Sequence, residues 1–433
     1  MKTWKLFTFV LALSLCIISC DNDPENEIIE IEGVTLNISS SELAIGDSLI
    51  LKAAIQPNDQ DPASIQWEGD DKDFLIWQSD NPRVATVSPD GLVKAVGKGT
   101  CNIRFICGTF AASCSIVVRD FNKELLFGQW LSSDSSSYYF HYDNTGTFNG
   151  DSIKWTFDGM RLNIDKSDND RKTLILVSTE PGKVFYYESN DLTKQTANLK
   201  MVARPITKED LKGAEHIAAG FKGEWLIDVV DLGLNDGVLW STCNLWADSP
   251  EKTGYVLAWG ESEPKQSYIL DNYKWYDNTN YELTRYKNDD SGEYITLAQE
   301  DDAAHALGRR WRTPSNQDFV DLCEKCYTVW SKLEGVDGIQ FISKQGKYKG
   351  NSIFLPLAGL TENYYQSISA NDRMMGFYWS STLSITDDYS AYFLQLSNIS
   401  EDETKRFYFT GVTAKRFNGA CIRPVTTRGV ILH

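Results

Sequence analysis

The stretch whose reading decides the fold runs Trp77-Gln78-Ser79-Asp80-Asn81-Pro82-Arg83-Val84-Ala85-Thr86-Val87-Ser88-Pro89-Asp90-Gly91-Leu92-Val93-Lys94-Ala95-Val96-Gly97-Lys98-Gly99-Thr100. Val84 to Val87 is a short β-rich run, closed by the turn signal Ser88-Pro89-Asp90-Gly91. Outward from it the pattern repeats. Val34-Thr35-Leu36, Ser48 to Leu51, Ile65-Gln66-Trp67, Cys101 to Phe105 and Ser115 to Val118 fit a two-residue period, with further breaks at Ile45-Gly46-Asp47 and Gly97-Lys98-Gly99. Many short alternating strands within residues 30–119 predict an all-β sandwich. Alternation turns Cys101, Cys107 and Cys114 inward, either as small buried thiols or with Cys107 and Cys114 bridged across a hairpin.

The quoted stretch has the order W-x-S-x-N-P-x-V-A-x-V, then G-L-V, then G-x-G-T, and so resembles the bacterial Ig-like domain of group 2. That resemblance implies a spacer module of surface proteins and adhesins.

Upstream, Lys2 and Lys5 precede an apolar run from Leu6 to Ile18 that ends in Ile17-Ile18-Ser19-Cys20. Charge, length and ending predict a signal peptide over residues 1–19. The ending resembles the bacterial lipobox, which implies cleavage before Cys20 and lipidation of its thiol. Residues 20–29 are acidic, read as a solvated tether, and resemble the export tag that places lipoproteins of Bacteroidota on the outer face of the outer membrane. The expectation is an outer-membrane lipoprotein facing the exterior, held by its lipid alone.

Downstream, residues 120–205 form a second β-rich block, with strands at Tyr138 to Phe140, Ile153 to Phe157, Leu174 to Val177 and Val184 to Tyr187. Its opening Gly128-Gln129-Trp130, Asp143-Asn144-Thr145-Gly146-Thr147-Phe148 and Trp155-Thr156-Phe157-Asp158-Gly159 resemble small lipocalin-like barrels. A sandwich explains the pattern equally well. Residues 206–219 read as a short helical connector.

Residues 219–426 hold eight of the thirteen tryptophans and an ordered set of landmarks. These are Leu239-Trp240-Ser241-Thr242-Cys243-Asn244-Leu245, Ala258-Trp259-Gly260-Glu261, Trp311-Arg312-Thr313-Pro314-Ser315, Tyr378-Trp379-Ser380-Ser381 and Ile422-Arg423-Pro424-Val425. Together they resemble the Fibrobacter succinogenes major paralogous domain, which implies an α+β, C-type-lectin-like fold with Trp379 in its core. Ser315 and Asp318 fit a capping box, and Phe319, Leu322, Cys323 and Cys326 follow at helical spacing, so a helix is predicted to about Trp330. Separate apolar patterns and polar junctions predict that 30–119 and 219–433 fold independently.

Composition narrows the chemistry. Lys+Arg is 42 against 60 Asp+Glu, a net charge of −18, so nucleic acid is a poor partner. Four histidines leave no room for a His-rich metal site. Glu300, Asp301, Asp302 and His305 have helical spacing for a metal cluster, and carboxylates at a helix start serve the dipole equally. Cys323-x-x-Cys326 reads as packing or a structural bridge, with Cys243 as a possible partner. Glu263-Pro264-Lys265 matches only part of the sugar-binding triplet of calcium-dependent lectins. Cys421 is the one thiol near the C-terminus, where the formylglycine-generating enzymes need a reactive pair. No catalytic residue, metal or cofactor is therefore expected.

The expected function is cell-surface binding or adhesion. The C-terminal domain would recognise an extracellular glycan or protein ligand through Tyr364, Tyr365, Arg373, Tyr389, Tyr408 and Arg416, where Tyr and Arg combine flat contact area with hydrogen bonding. The alternatives are a formylglycine-generating type of enzyme, or its degenerate relative, and a structural component of a surface appendage.

Overall fold

The computed structural model describes residues 31–57, 59–62, 75–167, 170–180, 182–220, 225–234, 237–288, 295–358, 361–362, 365–366, 375–398 and 407–428. The signal, Cys20 and the tether lie outside the described residues.

The N-terminal part is all β. A four-stranded sheet runs in the order Ser40–Ala44, Phe110–Arg119, Gly99–Cys107 and Leu75–Ser79, and a three-stranded sheet in the order Ser48–Ile50, Leu92–Ala95 and Ala85–Val87. Strict alternation along Gly99–Cys107 buries Cys101, Ile103, Phe105 and Cys107, as the period of two requires. Phe105 meets Trp77 with ring centroids 4.9 Å apart. Cys101, Cys107 and Cys114 are buried free thiols, so the bridge between the last two is not formed. The turn before Leu92 needs its glycine. Gly91 sits at φ +81°, and a Cβ there would lie 2.4 Å from the Leu51 carbonyl oxygen.

The middle block is a closed barrel of eight antiparallel strands, from Gly128–Ser132 to Ala197–Val202, which pair with each other to seal it. Closure removes every free sheet edge. An eight-stranded barrel is just wide enough for side chains to fill. Trp130, Tyr138, Phe140, Trp155, Leu162, Ile164, Leu174 and Leu199 fill this one. The two indoles keep their N–H groups satisfied, Trp130 on the Leu126 carbonyl at 2.7 Å and Trp155 on the Thr145 carbonyl at 2.9 Å.

The segment 206–219, expected to be a short helical connector, holds one 3-10 turn at Lys208–Asp210 and then the strand Ala214–Ala219. Arg204–Ile206 runs parallel to Cys326–Leu333 as the edge of a four-stranded sheet completed by Val336–Ser343 and Ser352–Pro356. Ala214–Ala219 opens a second sheet, followed by Trp225–Asp231, Val238–Ser241 and Val425–Thr427. A short polar-to-small run has no decisive period of its own, and here the neighbouring strands set its conformation. A third sheet holds Val256–Leu257, Ala420–Cys421, Met375–Leu383, Ser390–Ser397 and Tyr408–Lys415.

Among the described residues the C-terminal region carries one α-helix, α1, Asn316–Lys325. Ser315 and Asp318 form the expected capping box, and Phe319, Leu322 and Cys323 are buried. The helix stops before the predicted end. Cys326 opens the strand Cys326–Leu333, whose run of Thr328, Val329 and Trp330 suits an extended chain better than a helix. Cys323 and Cys326 are both free, as is Cys243, so they pack without a bridge. Trp379 is buried, with its indole donating to the Leu257 carbonyl at 2.9 Å. Trp259 returns the contact to the Ser380 carbonyl at 2.8 Å.

Barrel and C-terminal region share one apolar core, which runs without a break from Trp130 and Trp155 to Phe319, Phe341, Tyr378 and Leu394. Phe127 lies between the two parts, 6.0 Å from Trp155 and 5.2 Å from Tyr327, ring to ring. Tyr142 stacks on Tyr327 at 5.0 Å, and Lys344 reaches Glu124 at 2.9 Å. This packing runs against the expectation that residues 219–433 are independent.

Candidate functional site

The residues proposed for ligand contact separate in the structure. Arg416 is fully buried, a correction to its place on an exposed face. Its guanidinium donates to the Tyr273 hydroxyl at 2.9 Å and to the carbonyls of Tyr286, Asp388 and Arg285 at 2.9, 2.8 and 3.1 Å. It also lies 5.0 Å from the Trp259 ring centroid. This arginine holds loops together and is closed to a ligand. Tyr389 is half-buried against Tyr276, ring centroids 6.4 Å apart, and Tyr408 is half-buried on the shared core. Tyr364 and Arg373 lie outside the described residues, and of Tyr365 only the backbone, in Tyr365–Gln366, is described.

Asp301 and Asp302 sit in two short 3-10 turns, Gln299–Asp301 and Ala303–Leu307, and not on one α-helix face. Asp302 accepts from the Thr313 amide, the Thr313 hydroxyl and the Ala304 amide at 2.8, 2.6 and 3.0 Å. Burial raises its pKa against those bonds. No group of three metal-ligating side chains occurs among the described residues. Cys421 is buried within a strand of the third sheet, and burial pushes its thiol up to about 12, which disfavours a thiolate.

A different cluster stands out. Trp225, Leu226, Trp246 and Tyr255 are large apolar side chains exposed by 49, 74, 46 and 45%. The first three line a cavity of about 420 Å³ with Asp228, Thr242, Cys243, Asn244 and Asp248. Trp225 and Leu226 open the strand Trp225–Asp231, so the sheet sets their direction. Trp246 is held at φ +61°, an unusual conformation for a bulky residue that its surroundings must impose. Its neighbours do so. The Leu245 amide donates to the Ile422 carbonyl at 2.9 Å, and the Tyr255 amide to the Leu245 carbonyl at 3.1 Å. Gly254, at φ +68°, lets the chain pass there, since a Cβ would lie 2.3 Å from the Leu245 oxygen. The Trp246 and Tyr255 rings stand 6.3 Å apart.

Under the cavity lies Arg423, fully buried. It donates from Nε to Asn244 Oδ1 at 2.9 Å, from Nη1 to the Ser241 carbonyl at 3.1 Å and to the Thr242 carbonyl, and from Nη2 to the Phe354 carbonyl at 2.9 Å. Asn244 passes the restraint on, its Nδ2 donating to the Thr253 carbonyl at 2.9 Å. Burial lowers the Arg423 pKa and raises that of Cys243 on the cavity wall. Asp228 faces His216 across the hairpin and pairs with its Nδ1. The result is a rigid polar floor with aromatic walls. The sequence landmarks Ser241 to Leu245 and Ile422 to Val425 are joined through Arg423, a link that neither stretch shows alone. The signal available was an arginine in the otherwise apolar run Ala420 to Val425.

Comparison with known proteins bears on the N-terminal part. Residues 30–116 match the family model of the bacterial Ig-like domain (group 2). The Ig-like reading of the quoted stretch is thereby supported over that span, a fifth of the chain. No curated protein matches the chain. Among solved structures, S-layer protein SbsC domains 4 and 5 are 20% identical over 21% of this chain and 52% of that one, with a TM-score of 0.17. S-layer protein rSbsC(31-844) is 14% identical over 38% of this chain and 26% of that one, with a TM-score of 0.19. The chain thus spans about half the length of the first of these and a quarter of the second.

Proposed function

We propose that this protein is a lipid-anchored, cell-surface recognition protein. Its Ig-like domain is a spacer, and its C-terminal region is a C-type-lectin-like head that binds a glycan in the cavity between Trp225 and Trp246. The observation that carries the reading is that cavity, where exposed aromatic rings surround a floor fixed by a buried arginine. Exposed rings of this size are unfavourable in water unless a partner covers them. The C–H faces of a sugar ring stack on indole, and its hydroxyls match the carboxylates of Asp228 and Asp248 and the hydroxyl of Thr242. The non-catalytic reading is favoured by the burial of Cys421, since an enzyme of the formylglycine-generating type needs an accessible thiolate. The anchor reading rests on Lys2, Lys5, the apolar run and Cys20.

A glycan array probed with the purified chain tests the head. Saturable binding to a defined glycan, lost at least tenfold in Trp246→Ala and Trp225→Ala with an unchanged unfolding midpoint, is the expected result. Equal binding by wild type and both variants removes the cavity as the site. For the anchor, metabolic labelling with a fatty-acid analogue is expected to mark the wild type and not Cys20→Ser.

A further inference from the structure

A second cavity of about 420 Å³ shares no lining residue with the aromatic one, and its character is opposite. His305, Arg309, Arg310 and Arg312 line it, with Thr296, Gln299, Ser315 and Ser381 adding hydroxyl and amide groups. Three arginines fall within the four residues Arg309-Arg310-Trp311-Arg312, in a chain whose net charge is −18. Like charges held this close repel unless something anionic answers them. Arg312 has its answer in Asp318, an ion pair that also closes the capping box of α1. Arg309 and Arg310 are exposed and pair with no carboxylate among the described residues.

Among the described residues the one carboxylate on the wall is Asp302. Its oxygens already accept from the Thr313 amide and hydroxyl and the Ala304 amide, so its lone pairs are turned to those donors and away from the guanidinium groups. The arginine run is also held in place. Trp311 is buried, and the Arg312 amide and carbonyl exchange hydrogen bonds with Val425, both at 3.0 Å. Trp311 and Leu297 give the wall an apolar side for the body of a ligand.

We propose that this pocket binds the carboxylate or sulfate group of an anionic ligand, with Arg309 and Arg310 as its charge partners. Guanidinium forks suit flat carboxylates and sulfate oxygens because two parallel N–H bonds can form to each. The site stands apart from the aromatic cavity and does not depend on the function proposed for it.

Isothermal titration of the purified full chain, at constant ionic strength in sodium chloride, provides the test. The probes are inorganic sulfate and an oligogalacturonate, with a neutral oligosaccharide of equal length as control. Saturable heat from sulfate, from oligogalacturonate or from both is expected, with none from the neutral sugar. Arg309→Ala/Arg310→Ala is expected to weaken it at least tenfold, and Arg309→Lys/Arg310→Lys by less, because charge remains and the fork is lost. Both variants should keep the ligand-free unfolding midpoint, since neither guanidinium pairs with a carboxylate among the described residues. Sulfate binding shows that a free anion suffices, and oligogalacturonate binding alone shows that the sugar body contributes. Absence of saturable heat from both anions, or equal binding by wild type and the alanine variant, overturns the proposal.

Discussion

The Ig-like domain and the eight-stranded barrel are both small all-β units, yet they close their cores differently. The first gathers Ile55, Phe105 and Cys107 with Val34, Leu36 and Trp77 into a core of its own. The second fills its interior and then continues through Phe127 and Tyr327 into the C-terminal sheets. The barrel, legible from its strand pattern as a unit of its own, is by packing continuous with the C-terminal sheets. Strand periodicity reports which face of a strand is buried and says nothing of what buries it.

The difference makes a sharp prediction for Trp155, which is fully buried in the barrel. Trp155→Ala is expected to destabilise by about 3–5 kcal/mol. In calorimetry the loss should appear in a transition that includes the C-terminal region and leave the Ig-like transition in place. Two transitions for barrel and head, only one of them shifted, would break the comparison.

Arg423→Met comes next. It strands Asn244 Oδ1 and three carbonyls in a buried site, so a loss of about 2–3 kcal/mol is expected. Glycan binding at the Trp246 cavity should fall with it, measured on protein kept well below its new midpoint. Retained binding would show that the floor need not be rigid.

Asp318→Asn is smaller, about 1–2 kcal/mol, through the helix cap. Its sign with pH follows from its surroundings. Burial alone would raise the carboxyl, but the Arg312 ion pair and the Ser315 amide and hydroxyl outweigh it and lower the pKa below 3.8. A depressed folded pKa gives stability that is present above the unfolded value near 4 and is lost as pH falls through the folded one. Urea titrations at pH 7 and pH 3 should therefore show the wild-type advantage over Asp318→Asn shrinking at the lower pH.

The smallest effect concerns the Ig-like thiols. Cys101, Cys107 and Cys114 are free, so a reductant should leave that domain's midpoint unchanged. A fall in midpoint would reveal a bridge.

Much of this was legible in the sequence. Alternation placed Cys101, Cys107 and Cys114 inward, Ser315 and Asp318 announced the cap of α1, and Trp379 was expected in the core. What stayed hidden depends on distant partners. Arg204–Ile206 is strand because Cys326–Leu333 lies beside it. Arg416 looked like a surface contact because three of its four acceptors are main-chain carbonyls, which carry no residue identity. The aromatic cavity joins residues near 225 and 246 with a clamp at 423, a link that no local pattern announces.

The comparison itself is tested most directly by cooperative unfolding of two fragments, 120–428 and 219–428. The shorter one loses Phe127, Glu124 and the edge strand Arg204–Ile206. The account predicts a single cooperative transition for 120–428, and for 219–428 a broad one with binding of a hydrophobic dye. A sharp transition for 219–428 at the same midpoint would show that the head stands without its barrel and would contradict the account.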